Sequence, residues 1–349
     1  MGRITARWQA NGLWTGVLAA MAALVVSTAS APSAGKRSVR YVSPLASAHS
    51  LTVMSYNVEG LPAPARFGRS ASLERIGEGL AALRRERRQP NVVLLQEGFS
   101  TEAGRIAERA SYRYTAEGPT TDEVNRQPAP AGAASLVEGA SHLKGEDDGK
   151  WIGSGLRILS DYPIVKVERL AFPDWACAGF DCLANKGVLI AWVAVPGVAA
   201  PMAFIDTHLN SRGASGVAKA RADIAYAYQI TALRHFIASK VPAGATAFLG
   251  GDFNTGKALV RKADLGPGLL PQGRNSLLDA VADERKISTP DGRDTTAIMQ
   301  RGKDWLFYRG TSRCRVLLTG FDVPFGRAAG GASLSDHLGY EAHYRLGAV

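Results

Sequence analysis

The chain has 349 residues, 46% of them hydrophobic and 21% charged, which is ordinary for a globular protein and excludes a low-complexity or repeat chain. There is length enough for a real core in one large domain or two small ones. The formal charge of +10 favours a polyanion or an anionic membrane face without choosing between them.

At the N-terminus, Arg3 and Arg7 precede the apolar stretch LWTGVLAAMAALVV (13–26), and Ala29-Ser30-Ala31 follows as a small-x-small cleavage site. That layout predicts a secretory signal peptide over 1–31 and an exported protein, periplasmic or secreted. An uncleaved anchor is the other reading, although the stretch is short of the roughly 20 residues that a membrane span needs. Export exposes the chain to an oxidising compartment, where Cys177 and Cys182 are placed to pair and Cys314 is left over. The alternative is three small buried thiols. Residues 32–50, rich in Ser and Ala, read as a linker ahead of one domain, 51–349.

Within that domain LTVMSYNV (51–58) reads as a strand. Residues 72–88 form an amphipathic helix with Leu73, Ile76, Leu80 and Leu83 along one face, and NVVLLQE (91–97) is a buried strand ending in a polar pair. Residues 116–150 carry Pro, Gly, Ala and acids without a period and predict a long surface loop. Further strands follow at 154–160, 186–195, 201–209, 246–254, 304–308, 314–320 and 340–346. The main helix spans 214–240, with Tyr226, Ile230, Leu233 and Ile237 at helical spacing. The pattern predicts one α/β domain with sheets at the centre and helices outside.

Polar residues collect at the ends of these strands: Asn57, Glu97, His208, Asp252, Asn254, Asp304, Asp336 and His337. Singly, such residues are ordinary caps and turn residues. As a set their chemistry is coherent. Glu97, with Asn57 and Asp252, offers the hard oxygen ligands that Mg²⁺ requires, and there is no Cys/His cluster for zinc. His208 and His337 exchange protons near neutral pH, and Asp304 is the carboxylate that orients His337. Asn254 can donate to a developing oxyanion. Together they describe hydrolysis of a phosphate ester.

The motifs SYNV (55–58), LLQE (94–97), GSGLRILSDYPI (153–164), DTHLN (206–210), GGDFN (250–254), DWLF (304–307) and SDH (335–337) resemble, in order, those of the endonuclease/exonuclease/phosphatase superfamily. The resemblance covers nearly everything from Leu51 onward. It implies a four-layer α/β/β/α sandwich and a Mg²⁺-dependent phosphodiesterase or phosphatase, with Mn²⁺ or Ca²⁺ as alternative ions. By position it implies that Glu97 holds the metal with help from Asn57. His337, oriented by Asp304, is the base on water. His208 contacts the phosphate and protonates the leaving group, while Asp252 and Asn254 position nucleophile and phosphoryl oxygens. Asp336 adds a metal or phosphate contact.

Three readings compete for the substrate. In neutral sphingomyelinases an Asp and a Lys-Gly stand five residues apart ahead of the strand leading to THL. DCLANKG (181–187) resembles that switch, with Asp181, Lys186 and IDTHL at 205–209. The structural alternative makes Asp181 a turn cap and Lys186 an edge-strand residue. This reading makes the partner a phospholipid at a membrane surface. AFPDWACAGF (171–180), with Phe172, Trp175 and Phe180, is the only aromatic stretch that offers to meet that surface. A secreted nuclease is the second reading, supported by the net charge and by RRERR (84–88), although arginines there also complement a helix C-terminus. A catalytically silent binding protein on the same scaffold is the third. No protein partner is implied.

Overall fold

The computed structural model describes residues 50–347 apart from 64, 266–268, 289–291 and 328–332. The signal peptide and the linker expected over 1–50 lie outside the described residues, except Ser50, where the first strand begins.

Among the described residues, twelve strands make two mixed sheets. The first holds β1 (Ser50–Asn57), β2 (Val92–Gln96), β3 (Tyr114–Glu117), β4 (Arg157–Ser160), β11 (Arg315–Phe325) and β12 (Gly339–Gly347), in the order β11-β12-β1-β2-β4-β3. The second holds β5 (Ile164–Ala171), β6 (Gly187–Val193), β7 (Met202–His208), β8 (Ala247–Asp252), β9 (Arg274–Asn275) and β10 (Asp304–Arg309), in the order β5-β6-β7-β8-β10-β9.

Alternation along β1 explains how the layers stack. Leu51 and Val53 join the large core between the sheets, while Met54, Tyr56 and Val58 pack on the other face with Leu73, Ile76, Leu80 and Leu83 of the Arg69–Arg85 helix. The Lys219–Lys240 helix adds Tyr226, Ile230, Leu233 and Ile237 to the large core. Helix, sheet, sheet and helix give the four-layer sandwich that the motifs implied.

Each sheet contains one parallel pair, β1 with β2 and β7 with β8. Their registers decide where function sits. Asn57 lies opposite Gln96, and His208 opposite Asp252, so all four strands end at one edge of the sandwich. β10 runs antiparallel to β8 and starts there, with Asp304 opposite Asp252. β12 also starts there, because Ser55 pairs with Tyr340. The crevice beyond the carboxyl ends of parallel strands is where α/β sheets gather ligand groups.

Several elements depart from the sequence reading. The long helix begins at Lys219 rather than 214, because the preceding segment turns through Gly216 at φ +73°. β3, β5 and β9 carry no clean alternation and were not expected. Residues 116–150, expected as a long loop, contain three short helical pieces, Ala131–Ala133, Ala134–Glu138 and His142–Lys144. Glu146 pins this stretch: it accepts from Arg221 at 2.7 Å, from Gly179 N at 2.8 Å and from Ser141 N at 2.8 Å. Cys177 and Cys182 form a disulfide, and Cys314 is a buried free thiol.

Candidate active site

The strand ends bring Asn57, Glu97, His208, Asp252, Asn254, Asp304 and His337 into one cluster. Asn57 ties the two sheets together, its Nδ2 donating to Glu97 Oε1 at 2.8 Å and to Asp252 Oδ2 at 3.1 Å. Its Oδ1 accepts from Glu59 N at 3.0 Å. In this orientation the amide braces the carboxylates rather than turning an oxygen toward them, and the oxygen-rich set at Glu97 is completed by Asp252. Glu97, Asp252 and His208 each place one ligand atom within 4.8 Å of the others. Burial raises Glu97 above the usual carboxylate range against the Asn57 hydrogen bond and the Lys186 charge. A half-buried and a buried carboxylate sharing one amide are a donor set suited to a hard divalent cation.

His337 donates from Nδ1 to Asp304, at 2.7 and 2.9 Å from its two oxygens, and its Nε2 lies 3.5 Å from Asp252 Oδ2. Burial disfavours the charged ring, but Asp304 and Asp252 outweigh it and bring His337 up to about 9. Asp252 is pushed up by burial and pulled down further by His337, His208 and Lys303, to about 2. Asp336 stands at the mouth, its side chain 54% exposed and its Oδ1 4.0 Å from His337 Nε2. Its backbone N donates to Glu59 Oε2 at 3.0 Å.

His208 is buried, and burial followed by the Lys186 charge holds it well below the ordinary imidazole value. Its Nε2 lies 3.2 Å from Lys186 Nζ and 3.2 Å from Asn254 Nδ2, both hydrogen-bond donors. The ring is therefore neutral with Nε2 accepting, a tautomer assigned by these partners. Lys186 also donates to Leu209 O at 3.2 Å and pairs with Asp181. Asp181 in turn accepts from Ser211 N at 2.7 Å. Gly187 follows because a Cβ there would meet Leu170 O on β5 at 2.0 Å. The acid, base and glycine of DCLANKG are thus all brought to the mouth of β6.

Three residues at this edge carry backbone strain. Glu59, Glu97 and Asn254 adopt φ of 50°, 56° and 49°, a region that non-glycine residues rarely occupy and that persists where packing enforces it. Gly251, at φ +144°, sits where a Cβ would meet Thr207 O at 2.0 Å, so the GGDFN turn requires it.

Several contributors escaped the sequence reading. Gln96 Nε2 donates to Asp206 Oδ1 at 2.7 Å beneath the site, joining the two sheets in their shared interior. Ser335 Oγ donates to Asn57 O at 2.7 Å. Arg261, fully buried, donates to Asn254 O at 2.9 Å, Asn210 O at 2.7 Å and Asp223 Oδ1 at 2.7 Å, which locks the Asn254 turn. Lys303 adds a charge felt by both Asp252 and His208. Gln96, Asp206 and Ser335 lie within quoted motifs and carried that signal. Arg261 carried none.

A metal-dependent phosphoester hydrolase is the class that this sandwich and its strand-end cluster define. The chain belongs to the endonuclease/exonuclease/phosphatase family, whose profile matches residues 54–337. No curated protein matches the sequence. Among solved structures, it is similar to sphingomyelinase C from Streptomyces griseocarneus, with TM-score 0.53, 20% identity, and coverage of 84% of this chain and 99% of that one. A beta-toxin variant from Staphylococcus aureus with bound magnesium ions gives 0.55, 18%, 84% and 99%. TDP2 from D. rerio, complexed with a single-strand DNA product, gives 0.54, 19%, 84% and 98%. At these identities the likeness is one of fold.

Proposed function

We propose that the protein is an exported, Mg²⁺-dependent phosphodiesterase that hydrolyses choline phospholipids of the sphingomyelin type. The observation that carries the substrate is the Asp181–Lys186 pair, which sets an ammonium 3.2 Å from His208 Nε2 beside the other strand-end groups. Sphingomyelinase C among the similar folds supports the same choice. The signal-like N-terminus and the Cys177–Cys182 bridge support export.

Each residue then has a task. Glu97 and Asp252 would hold a divalent cation, which would supply Lewis-acid charge and offset the Asp252 carboxylate, one of the two that retain the His337 proton. Asp304 fixes His337 Nδ1, so Nε2 takes the proton of the attacking water. Asn254 offers its amide N–H to a phosphoryl oxygen, while His208, whose Nε2 accepts from Lys186 and Asn254, orients those two donors. The proton for the leaving alkoxide lies on Lys186, because His208 is neutral and its Nε2 accepts. That moves the donor role implied for His208 onto its neighbour. Asp336, at the mouth, meets the outer part of the substrate.

Sphingomyelin vesicles and linear DNA, incubated side by side with Mg²⁺ and with chelator, test the reading. The expected result is metal-dependent release of phosphocholine. Cleavage of DNA with the lipid left intact would replace it by the nuclease reading.

A further inference from the structure

We propose that Leu143, Trp151 and Phe180 form the surface through which the protein docks on a zwitterionic choline-phospholipid bilayer. The proposal rests on the substrate class given above and adds how a membrane-bound substrate is met.

The aromatic stretch singled out in the sequence does not supply this surface as a unit. Phe172 is buried in the core. Trp175 donates from Nε1 to Gln127 O at 2.7 Å and packs edge-on against Tyr228. Only Phe180 is left outward, at 48% exposure, and two residues from a different segment join it: Leu143 at 91% and Trp151 at 64%.

These side chains share one ridge. Trp151 N and Ile152 N both donate to Leu183 O, at 2.8 and 3.2 Å, so the 151–152 segment runs beside the turn that starts at Phe180. Gly145 packs on the Leu183 side chain, and Lys144 sets its ammonium 5.7 Å from the centre of the Phe180 ring. A residue as exposed as Leu143 projects from the surface instead of lining a groove, which suits an interface that yields around it.

Polarity along the ridge points to lipid. The Trp151 indole N–H donates to Asp148 O at 3.2 Å, so the ring can leave water without losing a hydrogen bond. Of the nearby acids, Glu146 pairs with Arg221 and Asp148 with His142, while Asp147 is exposed. Lys144 is the cation offered next to the apolar side chains, at the level where lipid phosphates lie. Aromatic rings flanked by a lysine favour the headgroup boundary. The ridge is also continuous with the chemistry: Phe180 precedes Asp181, and Asn185, just ahead of Lys186, donates from N to Ile152 O at 2.9 Å. What docks here is presented to Lys186 and His208.

The test uses the full chain and vesicles of sphingomyelin and phosphatidylcholine, sedimented in chelator so that binding is read without turnover. Leu143→Ser, Trp151→Ser and Phe180→Ser should each weaken vesicle binding by about ten-fold or more. Trp151→Phe, which keeps an apolar ring, should bind as wild type does. Leu317→Ser, at an exposed leucine on the edge strand β11, should also bind unchanged. With metal, the three serine variants should match wild type on water-soluble p-nitrophenylphosphorylcholine. Vesicle binding indifferent to the three substitutions, or lost equally in Leu317→Ser or Trp151→Phe, would overturn the proposal. Patch-dependent binding without turnover of any choline ester would refute the substrate and leave the surface standing.

Discussion

Replacing His337 with alanine should lower kcat by about 10²–10⁴-fold, the usual contribution of a positioned acid or base. The ring is held 3.5 Å from Asp252 Oδ2 on one side and bonded to Asp304 at 2.7 Å on the other. Removing it also strands Asp304, which is 4% exposed, and losing one partner of a buried ion pair costs about 3–5 kcal/mol. His337→Asn separates the two effects, because its amide can still donate to Asp304. We expect that variant to recover much of the thermal stability and little of the rate. Near wild-type turnover in His337→Asn would remove His337 from the proton transfer.

Lys186→Met should cost about 10²–10³-fold in kcat, comparable to losing one donor aimed at developing negative charge. Lys186 is 6% exposed and Asp181 loses its ion-pair partner with it, so part of the deficit will be structural. The double variant Asp181→Asn, Lys186→Met removes both charges together. It should regain stability in a denaturant titration and remain slow on sphingomyelin. Recovery of rate in the double variant would show that the pair only braces the loop ahead of β6.

Much of this was legible in the sequence for a physical reason. Buried strands announce themselves as short apolar runs, and a polar residue that ends such a run marks the place where the sheet meets solvent. Asn57, Glu97, His208, Asp252 and Asp304 were all found in this way, and the strand registers bring them to one edge. What stayed hidden depends on packing. Arg261 reads as one more surface charge of a short helix, yet it is fully enclosed and satisfied by carbonyls from two other segments. Glu59 looks like a loop acid, but its φ of 50° and its bond from Asp336 N make it a hinge between β1 and the SDH turn. Leu143 and Trp151 sit in a segment without a period, so nothing local distinguishes them from buried residues. Trp151 is placed by its bond to Leu183 O, a contact that only the fold creates.

The most direct test of a metal-assisted attack at this edge is the rate of phosphocholine release against Mg²⁺ concentration for wild type and Glu97→Gln. Glu97 is the carboxylate on the β2 side of the cluster, braced by Asn57 at 2.8 Å. The account predicts no turnover in chelator, saturable recovery with Mg²⁺ in the wild type, and a much higher Mg²⁺ requirement or no recovery in Glu97→Gln. Full activity in chelator, or an identical Mg²⁺ dependence in the two proteins, would contradict it.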